Sequence, residues 1–276
     1  MNLPAQLRRR LGEKAIVIAP GIYDAFSALR AEVAGFETVF VSGSALAATH
    51  LARPDIGLLT ASETADIVER IGERISVPML VDADHGFGNR FAVARTVKAL
   101  ERAGASAIQI EDQLEVKPAS HPLSRPLITA AQMSDKIKAA RDSLSNDDIL
   151  ISARSDAMTS EGFEAALERA HIYADAGADM IFVESISQRS QMEELAQQIA
   201  GRLPLLHNFL HPTAEITDAE TAQNMGYSVA LFPGIAISAV GRALDDALSA
   251  LKTSPEIGGI TPAPDRIGAR DFLGGD

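Results

Sequence analysis

Eight short apolar runs, each followed by a longer amphipathic segment, constrain this 276-residue chain more than any other feature. The runs are Ala15–Ala19, Thr38–Val41, Pro78–Val81, Ala107–Ile110, Ile149–Ala153, Met180–Val183, Leu203–Leu206 and Ser228–Phe232. Each is bounded by Gly, Pro or a charged residue, and β-branched residues are frequent in them. Runs that do not alternate polar with apolar residues fit strands buried on both faces of a parallel sheet. The intervening segments have helical periodicity: Ala61–Ile75, Arg90–Ala103, Ala130–Ser143, Gly162–Ala176, Ser187–Ala200 and Thr217–Met225. Thr60 and Ser62 stand where an N-cap is expected, with Glu63 close behind. Gly104 and Gly177 follow Ala103 and Ala176 at positions suited to a C′ glycine. Strands alternating with helices eight times predict an α/β (β/α)8 TIM barrel, with a doubly wound sheet as the alternative. A single barrel domain over 1–276 is expected, because no linker is visible. Residues 253–276, rich in Gly and Pro, read as a C-terminal tail.

Composition excludes several other functions. Lys and Arg number 25 and Asp and Glu 37, for a net charge of −12. That balance argues against nucleic-acid binding, since no broad face would neutralise phosphates. Arg8-Arg9-Arg10 is the one dense basic run and reads as a solvated helical turn. No apolar stretch approaches the roughly 18 residues of a membrane span, and none suits a secretory core, so a cytoplasmic protein is expected with no membrane partner. There is no cysteine. Disulfides, Cys-ligated metals and a thiol nucleophile are therefore excluded.

In a barrel, chemistry collects at the C-terminal ends of the strands. Those ends deliver Tyr23-Asp24, Ser42-Gly43-Ser44, Asp82 through Gly86, Glu111-Asp112, Arg154-Ser155-Asp156, Glu184, His207-Asn208 and Pro233-Gly234. Asp82, Asp84 and Glu111 are the densest cluster. Residues i and i+2 of a strand face one way, and neighbouring carboxylates repel unless a cation intervenes. All-oxygen ligation suits Mg²⁺ or Mn²⁺; the alternative is that these acids cap the following helices. Arg154 suits a bidentate clamp on a substrate carboxylate, or else a salt bridge to Glu184 or Asp156. Ser42-Gly43-Ser44 reads as a small turn whose backbone N–H groups hold an anionic oxygen. His85 and Gly86–Asn89 form a tight loop without phosphate-loop spacing. His50, His121 and His211 read as surface residues, and no GxSxG elbow of a serine hydrolase occurs.

Six motifs carry a resemblance: Ala-Pro-Gly-Ile-Tyr-Asp-Ala (19–25), Val-Ser-Gly-Ser-Ala-Leu-Ala (41–47), Pro-Asp-Ile-Gly-Leu-Leu-Thr (54–60), Asp-Ala-Asp-His-Gly-Phe-Gly-Asn (82–89), Ile-Glu-Asp-Gln (110–113) and Ala-Arg-Ser-Asp-Ala (153–157). From about Leu11 to about Leu251 the chain resembles the isocitrate lyase/phosphoenolpyruvate mutase superfamily, most closely its 2-methylisocitrate lyase-like branch. The resemblance implies a (β/α)8 barrel whose last helix swaps between subunits, in a homo-oligomer that is commonly a tetramer. It implies Mg²⁺ held directly by Asp82, with Asp84 and Glu111 acting through water and Asp55 near the metal. Ser42, Gly43 and Ser44 would bind the oxygens of a 2-oxo acid or its enolate, and Arg154 its carboxylate. Tyr23, Glu184 and Asn208 match further active-site positions.

One loop departs from the pattern. The carbon–carbon lyases carry Lys-Lys/Arg-Cys-Gly-His after strand four, and this chain reads Val116-Lys117-Pro118-Ala119-Ser120-His121. Ala119 stands where the thiol belongs, and also on the Asn of the phosphonate-forming mutases. Lys117 and His121 (or Ser120) are then the candidate proton carriers. The oxaloacetate decarboxylases of the superfamily share the Asp-Ala-Asp-His-Gly run and lack the cysteine, but they use a His after strand eight, where this chain has Phe232-Pro233-Gly234-Ile235. Decarboxylation needs an electron sink and a late proton, whereas aldol-type cleavage also needs a base and an acid. The expected activity is therefore Mg²⁺-dependent cleavage of a C–C bond beside a 2-oxo acid, through an enolate, resembling oxaloacetate decarboxylase. The alternatives are lyase action on a 2-hydroxy di- or tricarboxylic acid, P–C chemistry on a phosphonate, and a non-catalytic carboxylate-binding protein.

Overall fold

The computed structural model of the protein describes residues 2–114, 126–210 and 214–255. Eight parallel strands close into a barrel in sequential order, and this selects the (β/α)8 architecture over the doubly wound sheet. The strands are β1 (Val17–Ile22), β2 (Val39–Val41), β3 (Met79–Asp82), β4 (Ala107–Glu111), β5 (Leu150–Ser155), β6 (Met180–Val183), β7 (Leu205–Asn208) and β8 (Val229–Phe232). Around them run α1 (Leu3–Leu11), α2 (Ala25–Val33), α3 (Gly43–Leu46), α4 (Ala61–Gly72), α5 (Arg90–Arg102), α6 (Ala130–Ser143), α7 (Ala157–Ser160), α8 (Phe163–Asp175), α9 (Arg189–Ile199), α10 (Ala219–Met225) and α11 (Ile235–Thr253). A π-helical turn, Ala47–Leu51, follows α3. The chain forms two compact units, Met1–Ile237 and Ser238–Asp276. The first holds all eight strands. Of the second, the structure describes the remainder of α11 and the two residues after it, and Val240, Leu244, Leu248 and Leu251 there are exposed.

Alternation along the strands divides the apolar residues into two layers. Val17, Ala19, Phe40, Leu80, Ala107, Leu150, Met180, Phe182, Leu206, Val229 and Leu231 fill the barrel interior, joined by Leu7 and Leu11 of α1. The N-terminal helix thus closes the bottom of the barrel with two leucines, each contributing about 2 kcal/mol by burial. The basic run on that helix is tied down and not simply solvated. Arg8 pairs with Asp179 at 3.0 Å and Arg10 with Glu37 at 2.8 Å. The larger core lies between the sheet and the helices.

Several strands extend further toward the mouth than their apolar runs indicate. β1 continues through Pro20 and Gly21, the residues that bound its apolar run in the sequence. Proline's fixed φ suits extended backbone, and Pro20 sits in register with Phe232 of β8. A Cβ at Gly21 would lie 2.1 Å from the Pro233 carbonyl oxygen, so glycine is what lets β1 and the end of β8 meet. β3, β4, β5 and β7 likewise take in Asp82, Glu111, Arg154 and Asn208. These polar residues end the apolar pattern without ending the strand, because they face the mouth.

Helix starts follow local chemistry. Thr60 caps α4 in a capping box with Glu63, and Ser62 lies inside the helix and is not its cap. Asn89 caps α5 and Thr129 caps α6. The acids of strands three and four are therefore not the caps of the helices that follow them.

Candidate active site

The inward positions at the barrel mouth are polar. Asp82 and Glu111 end their strands buried, and Asp84 is buried just beyond. Asp84 has φ +48°, an uncommon conformation for a non-glycine residue, and its carbonyl accepts the Glu111 N–H at 2.9 Å. The Asp84 N–H in turn approaches Asp82 Oδ1 at 3.3 Å. Gln109, wholly buried one layer below Glu111, approaches the same oxygen with Nε2 at 3.4 Å. The backbone therefore fixes all three carboxylates relative to one another.

Ser42-Gly43-Ser44 opens the short helix α3 and is not an isolated turn. Ser42 Oγ caps it, accepting from Ala45 N at 3.4 Å, and lies 3.1 Å from Ser44 Oγ. The Gly43 N–H points at Asp82 Oδ2, 3.4 Å away. A Cβ at Gly43 would stand 3.0 Å from that oxygen, so the strand-two backbone and the strand-three carboxylate share one tight place.

Arg154 is ion-paired on three sides, which realises the salt bridges weighed from the sequence. Nε lies 3.3 Å from Glu111 Oε2, and Nη2 lies 2.9 Å from Asp156 Oδ1 and 3.6 Å from Glu184 Oε2. Burial would lower its pKa, but the carboxylates of Asp156, Glu111 and Glu184 outweigh this and raise it well above the ordinary value. Its guanidinium also lies over the Phe182 ring at 5.4 Å. Glu184 accepts from Asn208 Nδ2 at 3.2 Å and from Ser185 N at 3.1 Å. Tyr23 is buried after β1. Burial and then the neighbouring Asp24 carboxylate raise its pKa, so it keeps its proton at neutral pH.

Asp82, Asp84, Glu111, Arg154, Glu184 and Asn208 thus lie at successive strand ends, joined by direct or shared contacts. Asp55 is exposed on the stretch between the π-helical turn and α4. Lys117, Ala119, Ser120 and His121 lie outside the described residues. So does His211, while His50 is exposed with a ring nitrogen 3.4 Å from the Tyr23 carbonyl. Among the described residues no three Asp, Glu or His side chains stand in closed ligand geometry. The donor set nonetheless fits a hard divalent cation that keeps several waters. It is all oxygen, and the buried Gln109 Oε1, whose amide nitrogen approaches Asp82, lacks a hydrogen-bond partner among the described residues.

Asp156, the salt-bridge partner expected from the sequence, chelates Arg154; the groups behind it have no role in the sequence reading. Gln113 donates to Asp156 at 3.0 Å, and Asp112 receives the Asp156 N–H at 2.9 Å. Asp112 and Gln113 directly follow Glu111 in one motif. Tyr173 and Arg169, four apart on α8, reach Asp112 from the helix layer. Their only signal in the sequence is two polar residues on an otherwise apolar helix face.

The family model for phosphoenolpyruvate phosphomutase matches residues 7–252. The chain belongs to this family, and so to the phosphoenolpyruvate mutase/isocitrate lyase superfamily of enzymes. It is 38% identical over 270 residues to 2,3-dimethylmalate lyase of Eubacterium barkeri, covering 94% of this chain and 90% of the relative. It is 44% identical over 229 residues to 2-methylisocitrate lyase of Aeropyrum pernix, covering 82% and 72%. A crystal structure of 2,3-dimethylmalate lyase superposes with a TM-score of 0.88 at 32% identity, covering 95% of this chain and 88% of that one. Oxaloacetate acetylhydrolase with 3,3-difluorooxalacetate gives 0.87 at 27% identity (99% and 93% covered). Phosphonopyruvate hydrolase with oxalate and Mg²⁺ gives 0.84 at 27% (98% and 94% covered).

Proposed function

We propose that the protein is a Mg²⁺-dependent carbon–carbon lyase that splits a 2-hydroxy di- or tricarboxylic acid into a 2-oxo acid and a shorter carboxylic acid. The observation that carries this reading is Arg154, a largely enclosed guanidinium set among Glu111, Asp156 and Glu184 at the mouth, two strands along from Asp82. It offers a carboxylate site beside an all-oxygen cation site. In the reaction the C2 hydroxyl loses its proton, the C2–C3 bond breaks, and its electron pair moves onto C3, conjugated with the C3 carboxyl group. A proton then returns to C3. Asp82, with Asp84 and Glu111 beside it, would hold a cation, which when bound would supply positive charge beside the C2 oxygen; Asp55 is the remaining acid assigned to its surroundings.

Arg154 orients the carboxylate on C2. Ser42, Gly43 and Ser44 fix the C2 oxygen from the side of Asp82, and Asn208 holds Glu184 in place. Tyr23, protonated at neutral pH, donates a hydrogen bond. Lys117 and His121 carry protons in place of the absent thiol.

Oxaloacetate decarboxylation stands as the second reading, because Ala119 replaces the cysteine and loss of CO₂ needs no base. The test is a panel of 2,3-dimethylmalate, 2-methylisocitrate, oxaloacetate and phosphonopyruvate with Mg²⁺. A 2-oxo acid released from a hydroxy acid supports the proposal. Bicarbonate from oxaloacetate alone favours the second reading. Phosphate by phosphorus NMR moves the chain to P–C chemistry. Tight oxalate binding without turnover marks a binding protein. Self-association, commonly as a tetramer, is proposed from the exposed apolar stripe Val240, Leu244, Leu248 and Leu251 on α11, whose spacing forms one helix face. Light scattering tests it, and a monomeric mass overturns it.

A further inference from the structure

Behind Arg154 lies a buried polar system that the reaction above does not use. Strand alternation turns Glu111 into the mouth and its neighbour Asp112 outward, toward α8. Asp112 Oδ1 accepts the Asp156 N–H at 2.9 Å. Oδ2 accepts from Ser155 Oγ at 2.8 Å, Tyr173 OH at 2.7 Å and Arg169 Nη1 at 3.3 Å. Arg169 Nη1 also donates to Tyr173 OH at 3.0 Å and to the Ile128 carbonyl at 3.0 Å, and Glu161 grips its other edge with two contacts of 2.9 Å. One side chain just past β4 therefore holds the backbone just past β5, at the residue that chelates Arg154. Asp156 binds that guanidinium through Nε at 3.0 Å and Nη2 at 2.9 Å. Nη1 has no hydrogen bond among the described residues, and it is the nitrogen left to face a ligand.

We infer that Asp112, held by Tyr173 and Arg169, is a positioning residue that fixes the orientation of the Arg154 guanidinium through Asp156. The inference rests on the reading of Arg154 as a carboxylate clamp. A buried cluster of this kind adds little stability over apolar packing of the same shape. What it adds is direction. A guanidinium on a flexible stem binds a planar carboxylate well only when its fork is already aimed. Among the described residues Tyr173 and Arg169 reach the mouth only through Asp112, whose side chain binds Ser155 and Asp156 and whose N–H donates to the Arg154 carbonyl at 3.3 Å, so their effect on a ligand passes through Asp156 and Arg154.

The experiment is calorimetric titration of the full chain with oxalate in the presence of Mg²⁺. Tyr173→Phe removes only the phenolic oxygen and should weaken oxalate binding about fivefold, the net value of one ordinary hydrogen bond. The same change in an Arg154→Lys background should alter affinity by less than about 1.5-fold, because the path it acts through is gone. Ser155→Ala, which removes a different bond to Asp112, should repeat the pattern, and it serves if Tyr173→Phe does not fold. A fivefold loss in both backgrounds shows a general structural effect and overturns the inference. Wild-type affinity in folded Tyr173→Phe overturns it too, and if Arg154→Lys binds more weakly, the clamp reading survives that failure. Unchanged affinity in Arg154→Lys, or no oxalate binding by the wild type, refutes the clamp reading itself.

Discussion

His207 lies on β7 between the inward-facing Leu206 and Asn208, so alternation turns it outward into the helix layer. It is buried edge-on against Phe209, with ring centroids 4.8 Å apart, and against Tyr227 at 5.7 Å. Burial among these rings lowers its pKa from 6.5 to about 4, against the opposing pull of Glu184. The folded state therefore resists protonation that the unfolded chain accepts. Above pH 6.5 both states are neutral and stability is unaffected. As pH falls from 6.5 toward 4, the unfolded state binds the extra proton and stability is lost. The full difference is about 3 kcal/mol, and about 2 kcal/mol of it is gone by pH 5. His207→Leu keeps the bulk and removes the titration. Urea unfolding of wild type and variant at pH 7.5, 6, 5 and 4.5 should show the difference between them shifting by about 2 kcal/mol in the variant's favour from pH 7.5 to pH 5. Parallel profiles, or a shift in the wild type's favour, would refute the assignment of a buried neutral imidazole at this strand.

Gly21→Ala places a Cβ 2.1 Å from the Pro233 carbonyl, with backbone on both sides. It should cost about 3 kcal/mol or more and lower the melting temperature by at least about 6 °C in calorimetry. Arg154→Met leaves Glu111, Asp156 and Glu184 buried without their shared cation, and should cost about 3–5 kcal/mol in urea unfolding at neutral pH. Asp82→Ala should abolish Mg²⁺-dependent oxalate binding; an unchanged affinity removes the proposed cation site. Thr60→Ala breaks the capping box of α4 and should cost about 1 kcal/mol while leaving oxalate affinity as it was.

The barrel was legible because a parallel strand buried on both faces writes itself as a plain apolar run, and eight such runs appear with helical segments between them. Strand ends were less legible, for a reason that bears on function. An apolar run stops where the mouth begins, while the hydrogen-bonded strand continues: Asp82, Glu111, Arg154 and Asn208 lie past the apolar runs yet are strand residues. The acids of β3 and β4 could be gathered from sequence because each stands at the end of its own run. Asp55 could be named only by resemblance, since nothing in its surroundings reads as a strand end. The outward-facing system was invisible in the sequence. Arg169 and Tyr173 lie 57 and 61 residues from Asp112 along the chain, and only the packing of α8 on β4 and β5 makes them its neighbours.

That packing bears on how one scaffold carries different reactions. At the ends of β4 and β5, inward residues Glu111 and Arg154 face the barrel mouth, and outward Asp112 and Ser155 face α8, one position further along. On the proposed reading, the inward set and the segment that follows β4 in the sequence, which includes Ala119, set which bond is broken. The outward set fixes where the inward one points and contacts no substrate. A substitution in the loop can therefore change the reaction while the carboxylate clamp stays aimed. A substitution at Asp112 should weaken every carboxylate ligand alike, whichever bond is cut. Ala119→Cys separates the two layers. It should raise cleavage of 2-methylisocitrate if the thiol is what the pocket lacks, and leave Mg²⁺-dependent oxalate affinity unchanged, because the guanidinium and its outward supports are untouched. A change in oxalate affinity without a gain in cleavage would show that the loop and the clamp are not independent.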